Sequence, residues 1–279
     1  MTFHDVFLLL VAMHITTGAP GLIGFWLPVI SKKGGPRHRL SGRAFSIAML
    51  ATGASAICMA TLTLIAPMET HPHLRQHPDF SDPALVRAVF GWMMLFLAIL
   101  TVNLAWYGWR CAANKRHHHL NRKPINFASQ VILFIAAINC AVQSFLIGQP
   151  LMAGVSIIGF ATVGTNLWFM MKETPGPVDW LLEHIKAIVG TGISVYTAFF
   201  AFGAVRIAPA WALTPALWSA PLIVGLGLIL FHQHDVKKGI KKPTPSDDPF
   251  FLRKLPFLKK NTISQNQRNA PPPKTASSH

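Results

Sequence analysis

Seven apolar stretches alternate with loops whose basic residues fall almost entirely on one side, and this pattern restricts the chain to a helical bundle in a bilayer. The stretches run roughly from Val6 to Ile30, Ala44 to Ala66, Ala84 to Trp109, Ile125 to Gly148, Leu151 to Met171, His184 to Val205 and Trp211 to Phe231. Each holds ~20 or more mostly apolar residues, the length a helix rising ~1.5 Å per residue needs to cross ~30 Å of hydrocarbon. Of the 279 residues 51% are hydrophobic and 13% charged, whereas roughly a quarter are charged in soluble domains. The expected fold is all-α: an integral membrane bundle of about seven transmembrane helices over residues 1–242, followed by a disordered basic tail over 243–279.

In a soluble protein a net charge of +15 would point to nucleic acid. Here its placement follows the positive-inside rule, and no nucleic-acid partner is expected. Of the 25 Lys and Arg residues, only Arg75, Arg87 and Arg206 lie off the basic side. An odd number of spans, with the N-terminus outside and the C-terminus cytoplasmic, satisfies every loop. The first stretch has no Lys or Arg before it and a basic cluster after it, which reads as an uncleaved span. Cys58, Cys111 and Cys140 lie in spans or at a helix end and are expected to be buried small apolar side chains.

Short connections such as Gly148-Gln149-Pro150 force antiparallel neighbours. Gly154, Gly159, Gly164, Gly190, Gly192, Gly225 and Gly227 are expected at close helix contacts. The tail is rich in Pro, Ser, Asn, Gln and Lys and lacks the apolar surface to offset its ordering entropy. Within it, Phe250 to Lys260 interleaves aromatics with cations, which suits anionic lipid headgroups at the cytoplasmic face.

An ionisable group inside a span is a functional candidate, which singles out His14. Pro20 has no N–H to give the Thr16 carbonyl, so an acceptor is left free close to His14. Asn139 and Gln143, four residues apart, share a helical face. With His14 they form the expected ligand-binding set, although interhelical hydrogen bonds are the commoner fate of such amides, including Asn103, Gln130 and Asn166. No Asp or Glu lies deep in a span, which argues against a carboxylate proton relay. The outer run His71-Pro72-His73-Leu74-Arg75-Gln76-His77-Pro78-Asp79 holds potential zinc or copper ligands but reads as a solvated loop. His117-His118-His119, set among Lys and Arg, reads as a phosphate-facing cluster at the membrane surface.

Two-histidine ligation of haem requires both rings at one depth on neighbouring helices. His14 has no opposing histidine in a span. His38, His184, His232 and His234 all map to the cytoplasmic boundary, where a pair such as His184 with His38 or His232 is sterically conceivable.

The most specific string is Lys33-Gly34-Gly35-Pro36-Arg37-His38-Arg39-Leu40-Ser41-Gly42-Arg43-Ala44-Phe45. Its glycines and proline form a turn, Ser41 is a candidate helix cap, and Arg39 and Arg43 share a face. Cations at a helix N-terminus oppose its dipole, so lipid phosphate or an acidic partner such as Glu183 is expected nearby. This string resembles that of bacterial multi-pass membrane proteins of unknown function carrying a His-Arg-x-x-Gly-Arg signature. Glu183-His184-Ile185, leading into Gly192-Ile193-Ser194-Val195-Tyr196, is similar to a later segment of the same proteins. The resemblance implies a location in the bacterial cytoplasmic membrane and no established activity. It maps the motif onto His38, Arg39, Gly42 and Arg43.

The spans lack a nucleophile–base pair, a carboxylate pair and a Gly-rich phosphate loop. The leading expectation is therefore a non-enzymatic membrane protein that binds lipid or a small ligand or assists assembly, with no cofactor. His38, Arg39, Arg43 and His184 are its motif and lipid-facing residues. A redox protein holding haem b on inner-side histidines is the alternative, and a small-solute transporter the third reading.

Overall fold

The computed structural model describes residues 2–76, 80–200 and 215–241. Every regular element among them is helical. The first span is α1 (Phe3–Gly24) continued by α2 (Trp26–Ile30), and the second is α3 (Pro36–Ile65). A short α4 (Pro67–Thr70), a 3-10 turn (Pro72–Gln76) and α5 (Pro83–Val86) lead through a π-helical segment (Arg87–Met93) into α6 (Met94–Asn114). A 3-10 turn at His118–Arg122 precedes α7 (Pro124–Ile147), followed by α8 (Pro150–Met171), α9 (Asp179–Ala198) and α10 (Pro215–Lys241). Proline in the first turn starts α3, α7 and α8, where its missing N–H costs nothing. Gly148, at φ +71°, ends α7 and reverses the chain.

Five helical stretches are long and apolar enough to cross a membrane: Phe3–Ile30, Pro36–Ile65, Pro83–Asn114, Pro124–Ile147 and Pro150–Met171. The sixth expected stretch is α9, whose opening turns carry Asp179, Glu183, His184 and Lys186. The seventh begins at Trp211, outside the described residues, and only its later part appears in α10. The tail expected over 243–279, with its aromatic and cationic run, also lies outside them. The chain divides into two units, residues 1–233 and 234–279, and the last turns of α10 belong to the second.

The outward faces of the helices are apolar. Phe145 is 83% exposed, Trp168 78% and Ile23 74%, a surface suited to lipid and not to water. α6 is the hub: it packs on α3, α7 and α9, while α1 packs on α3 and α8 on α7. One core joins Phe96, Leu104 and Tyr107 of α6 to Leu133, Ala137 and Cys140 of α7 and to Met152, Phe169 and Met170 of α8. A second gathers Phe25, Phe45, Met49, Ala105 and Val189, with Leu228 and Ile229 of α10 against it. Among the expected contact glycines, Gly159, Gly190, Gly192 and Gly225 do lie against neighbours; a Cβ at Gly192 would sit 2.3 Å from Phe25. Gly154, Gly164 and Gly227 face open space, so their small size serves no contact within the chain. Cys111 and Cys140 are buried, but Cys58 is exposed on α3.

Asn103, Gln130 and Asn166 form an interhelical amide network at the centre. The Asn166 amide donates to Gln130 Oε1 (3.2 Å) and Asn103 Oδ1 (3.4 Å), and the Asn103 amide donates to the Ser129 carbonyl (3.2 Å). Such bonds tie α6, α7 and α8 together where hydrophobicity between helices provides no drive.

Ser41 and Cys58 depart from expectation, the one lying inside α3 and the other exposed on it, while α1 runs through Pro20 and ends at Gly24, with α2 starting at Trp26. The described part of the outer histidine run is a solvated loop only in part, with Pro72, His73, Arg75 and Gln76 exposed. His71 and Leu74 are buried, His71 Nε2 lies 3.2 Å from Thr63 Oγ1, and the ring stacks edge-on against Phe7 (4.8 Å). Residues 77–79 of that run are outside the described residues.

Burial, followed by the charges of His73 and His4, pushes the His71 imidazole down from 6.5 to about 4. The unfolded chain therefore binds more protons than the folded one between those two values. The stability His71 contributes is complete above ~6.5 and falls as the pH drops toward ~4. Amide exchange over residues 66–76, corrected for intrinsic rates, should accelerate between pH 7 and pH 5 and become pH-insensitive in His71→Phe. Equal protection at both pH values in the unmodified protein would contradict this.

Candidate functional site

The basic end of the bundle is assembled from three turns. Gly34, at φ +72°, and Gly35, whose N–H meets the Lys32 carbonyl (3.0 Å), reverse the chain so that Pro36 opens α3. Ser41 does not cap this helix, because it already lies inside it and donates back to the Arg37 carbonyl (2.7 Å). His38 therefore sits in the first turn, and its ring reaches back to α2, where Nδ1 meets the Pro28 carbonyl at 2.9 Å. Lys33 Nζ donates to the same carbonyl (3.2 Å) and to that of Val29.

His184 lies in the second turn of α9 and points at α6, with Nδ1 2.8 Å from the Gly108 carbonyl. Gly108 makes this approach possible, since a Cβ there would stand 2.9 Å from Ile188 and 3.1 Å from Ala187. The adjacent Glu183 accepts from the Tyr107 hydroxyl (2.7 Å) and from Lys186 (2.6 Å), and Lys186 also donates to Thr165 (3.0 Å). Glu183 is thus taken up by α6 and α9 and is not the partner expected for Arg39 and Arg43. Those two arginines are exposed; the ion pairs among the described residues are Lys172–Asp179 and Lys186–Glu183.

These bonds bring His38 and His184 together instead of turning them to lipid. Their ring centroids are 6.5 Å apart with planes inclined at 74°. A carbonyl oxygen can only accept, so each Nδ1 carries the proton and each Nε2 keeps its lone pair. That is how protein scaffolds prepare a ligating histidine: the second nitrogen donates to a backbone carbonyl, fixing tautomer and ring orientation.

The surroundings are apolar on one side and cationic on the other. Phe25, Phe45, Val29, Ile185 and Ile188 pack in the adjoining core. Trp26 Nε1 donates to the Tyr196 hydroxyl (2.7 Å), which donates to the Leu22 carbonyl (2.8 Å), fastening α2 to α9. One turn beyond His38, a Cβ at Gly42 would meet nothing within 4 Å, so space lies open there. The Gln233 amide bonds the Leu182 carbonyl (3.2 Å), bringing α10 and half-buried His232 to the α9 turn that carries His184. His234 falls in the second unit.

The other expected residues lie elsewhere. His14 Nδ1 bonds the Thr52 carbonyl (3.1 Å) and lies 3.3 Å from Ser55 Oγ, held by α3. Asn139 and Gln143 belong to α7, and Asn139 Oδ1 is buried without a hydrogen-bond partner. His118 is not surface-facing; it is buried edge-on against Phe169 (4.7 Å). Sequence reasoning missed Pro28, Gly108 and Tyr107. Only Gly108, a glycine amid large residues near a span end, carried a visible signal.

Among the described residues no three His, Cys, Asp or Glu side chains gather in a group that could hold a metal ion. No family model, curated protein or solved structure matches the chain.

Nitrogen-15 spectra of the cofactor-free protein should show His38 and His184 as Nδ1–H tautomers. An Nε2–H signal for either ring would contradict the site as built.

Proposed function

We propose that the protein is a membrane haem b protein in which His38 and His184 would hold the haem. The single observation that carries this is the pair itself: two rings 6.5 Å apart, each with Nδ1 committed to a backbone carbonyl. The His-Arg-x-x-Gly-Arg string then gains a physical reading. His38 is a ligand, Gly42 leaves room beside it, and Arg39 and Arg43 are cations long enough to reach the anionic propionates at the membrane surface. This reading takes precedence over binding without a cofactor because a lipid-facing role gives the two rings no reason to converge.

Haem b supplies one-electron redox chemistry when bound. The chain's own residues do the rest. The Pro28 and Gly108 carbonyls hold the imidazoles and raise their basicity. Phe25 and Phe45, with Tyr196 packed against them, present apolar surface that excludes water. Glu183, bonded by Lys186 and Tyr107, anchors the α9 turn to α6 without adding net charge. We place the site at the cytoplasmic face of a bacterial inner-membrane protein with seven spans, N-terminus outside and C-terminus inside. The distribution of basic residues supports that orientation.

Protein purified with haem, or reconstituted with it, should give a reduced-minus-oxidised spectrum with Soret and α bands. His38→Ala and His184→Ala should each lower haem content by about tenfold, the loss typical of disturbing a metal site, whereas His14→Ala should leave it unchanged. A featureless spectrum after reconstitution, or bands that survive both substitutions, would overturn the assignment.

A further inference from the structure

A second feature of the basic end is independent of the histidine pair. The loop between α6 and α7 and the loop between α8 and α9 border a half-open cavity of about 320 Å³, lined by Lys115, Arg116, His118, Phe169, Gly176 and Trp180 among others. Three observations show that it is built. His118 lines it at 8% exposure, with neither ring nitrogen hydrogen bonded. Burial holds the His118 imidazole below its ordinary value; the nearby Met170 and Lys172 carbonyls act in the opposite sense, yet neither closes a bond of normal geometry.

Lys115 is the non-glycine residue held at positive φ (49°) among the described residues, a conformation that persists only where its surroundings enforce it. It ends α6 and sends Arg116 and His118 into the cavity wall. The opposite wall is fixed by Asp179, whose carboxylate accepts from Lys172 Nζ (2.6 Å) and the Gly176 N–H (2.8 Å). The Asp179 carboxylate is therefore paired with Lys172. Lys115 and Arg116 take no part in the ion pairs among the described residues.

We infer that this cavity is a binding site for a phosphate ester, with Lys115, Arg116 and His118 supplying the donors and Trp180 and Phe169 contacting the apolar part of the ligand. Lys115 and Arg116 are exposed cations outside those ion pairs, and beside a buried imidazole lacking a partner they suit an anion that accepts several bonds at once. A phosphate monoester or diester does so, and the volume admits a glycerophosphate-sized group. At the surface of a bilayer that group is either an anionic lipid headgroup or a free phosphate ester of similar chemistry.

The test uses the full chain in nanodiscs and in detergent. Phosphatidylglycerol retained by the protein, counted by native mass spectrometry against phosphatidylcholine, should fall about tenfold in Lys115→Gln/Arg116→Gln, which removes charge-assisted bonds. The same charge change at Lys237→Gln/Lys238→Gln should alter it less than twofold. His118→Phe, which keeps an aromatic ring against Phe169, should also weaken binding, and the charge variant decides if it fails to fold. Glycerol 3-phosphate titrated into lipid-free protein separates the sources. Binding that the same variants weaken assigns the site to a free ester, and lipid binding alone assigns it to a headgroup. Equal retention in the unmodified protein and the Lys115/Arg116 variant, or an equal loss in the Lys237/Lys238 control, would overturn the proposal.

Discussion

Hydrocarbon provides no water to hydrogen-bond a polar group, and this constraint governs each feature of the molecule. It makes every regular segment helical, because only a helix satisfies its own backbone. It draws Asn103, Gln130 and Asn166 into one network across three helices. It also explains why His14, His38 and His184 each turn Nδ1 to a backbone carbonyl of a neighbouring segment. A buried imidazole left without such a bond would cost on the order of 1–3 kcal/mol. The carbonyls do more than satisfy these rings, since a fixed tautomer leaves Nε2 able to bind a metal.

What separates His14 from the other two is location. All three rings make the same bond, yet only His38 and His184 are carried to one place by helices that share α6 as a neighbour. The packing of α3 and α9 on α6 is therefore what turns two structural histidines into a candidate ligand pair. Gly108 is where this is decided, because it both admits α9 and provides the carbonyl that orients His184.

The existence of the first five spans was readable because it rests on apolar length and on short connections such as Gly148-Gln149-Pro150, whereas the second begins at Pro36 and not near Ala44, because Pro36, and not Ser41, opens α3. The common depth of His38 and His184 was readable from the basic loops. Their contact was not, since it depends on which helices pack on α6, and several arrangements satisfy the same apolar pattern. Glu183 looked available to Arg39 and Arg43 because composition does not reveal that Tyr107, about two turns before the end of α6, takes it first. The π-helical segment at Arg87–Met93 and the buried His71 were missed for a similar reason. Each depends on partners distant in sequence, Leu64 meeting Arg87 and Phe7 meeting His71.

The central claim is that α6 gathers His38 and His184 onto one iron, and electron paramagnetic resonance of the oxidised, haem-loaded protein tests it most directly. The account predicts a low-spin signal from iron held by two imidazoles in the unmodified protein, shifting to high spin when either His38 or His184 alone is replaced by alanine. A high-spin signal in the unmodified protein, or a low-spin signal that persists in both variants, would contradict it.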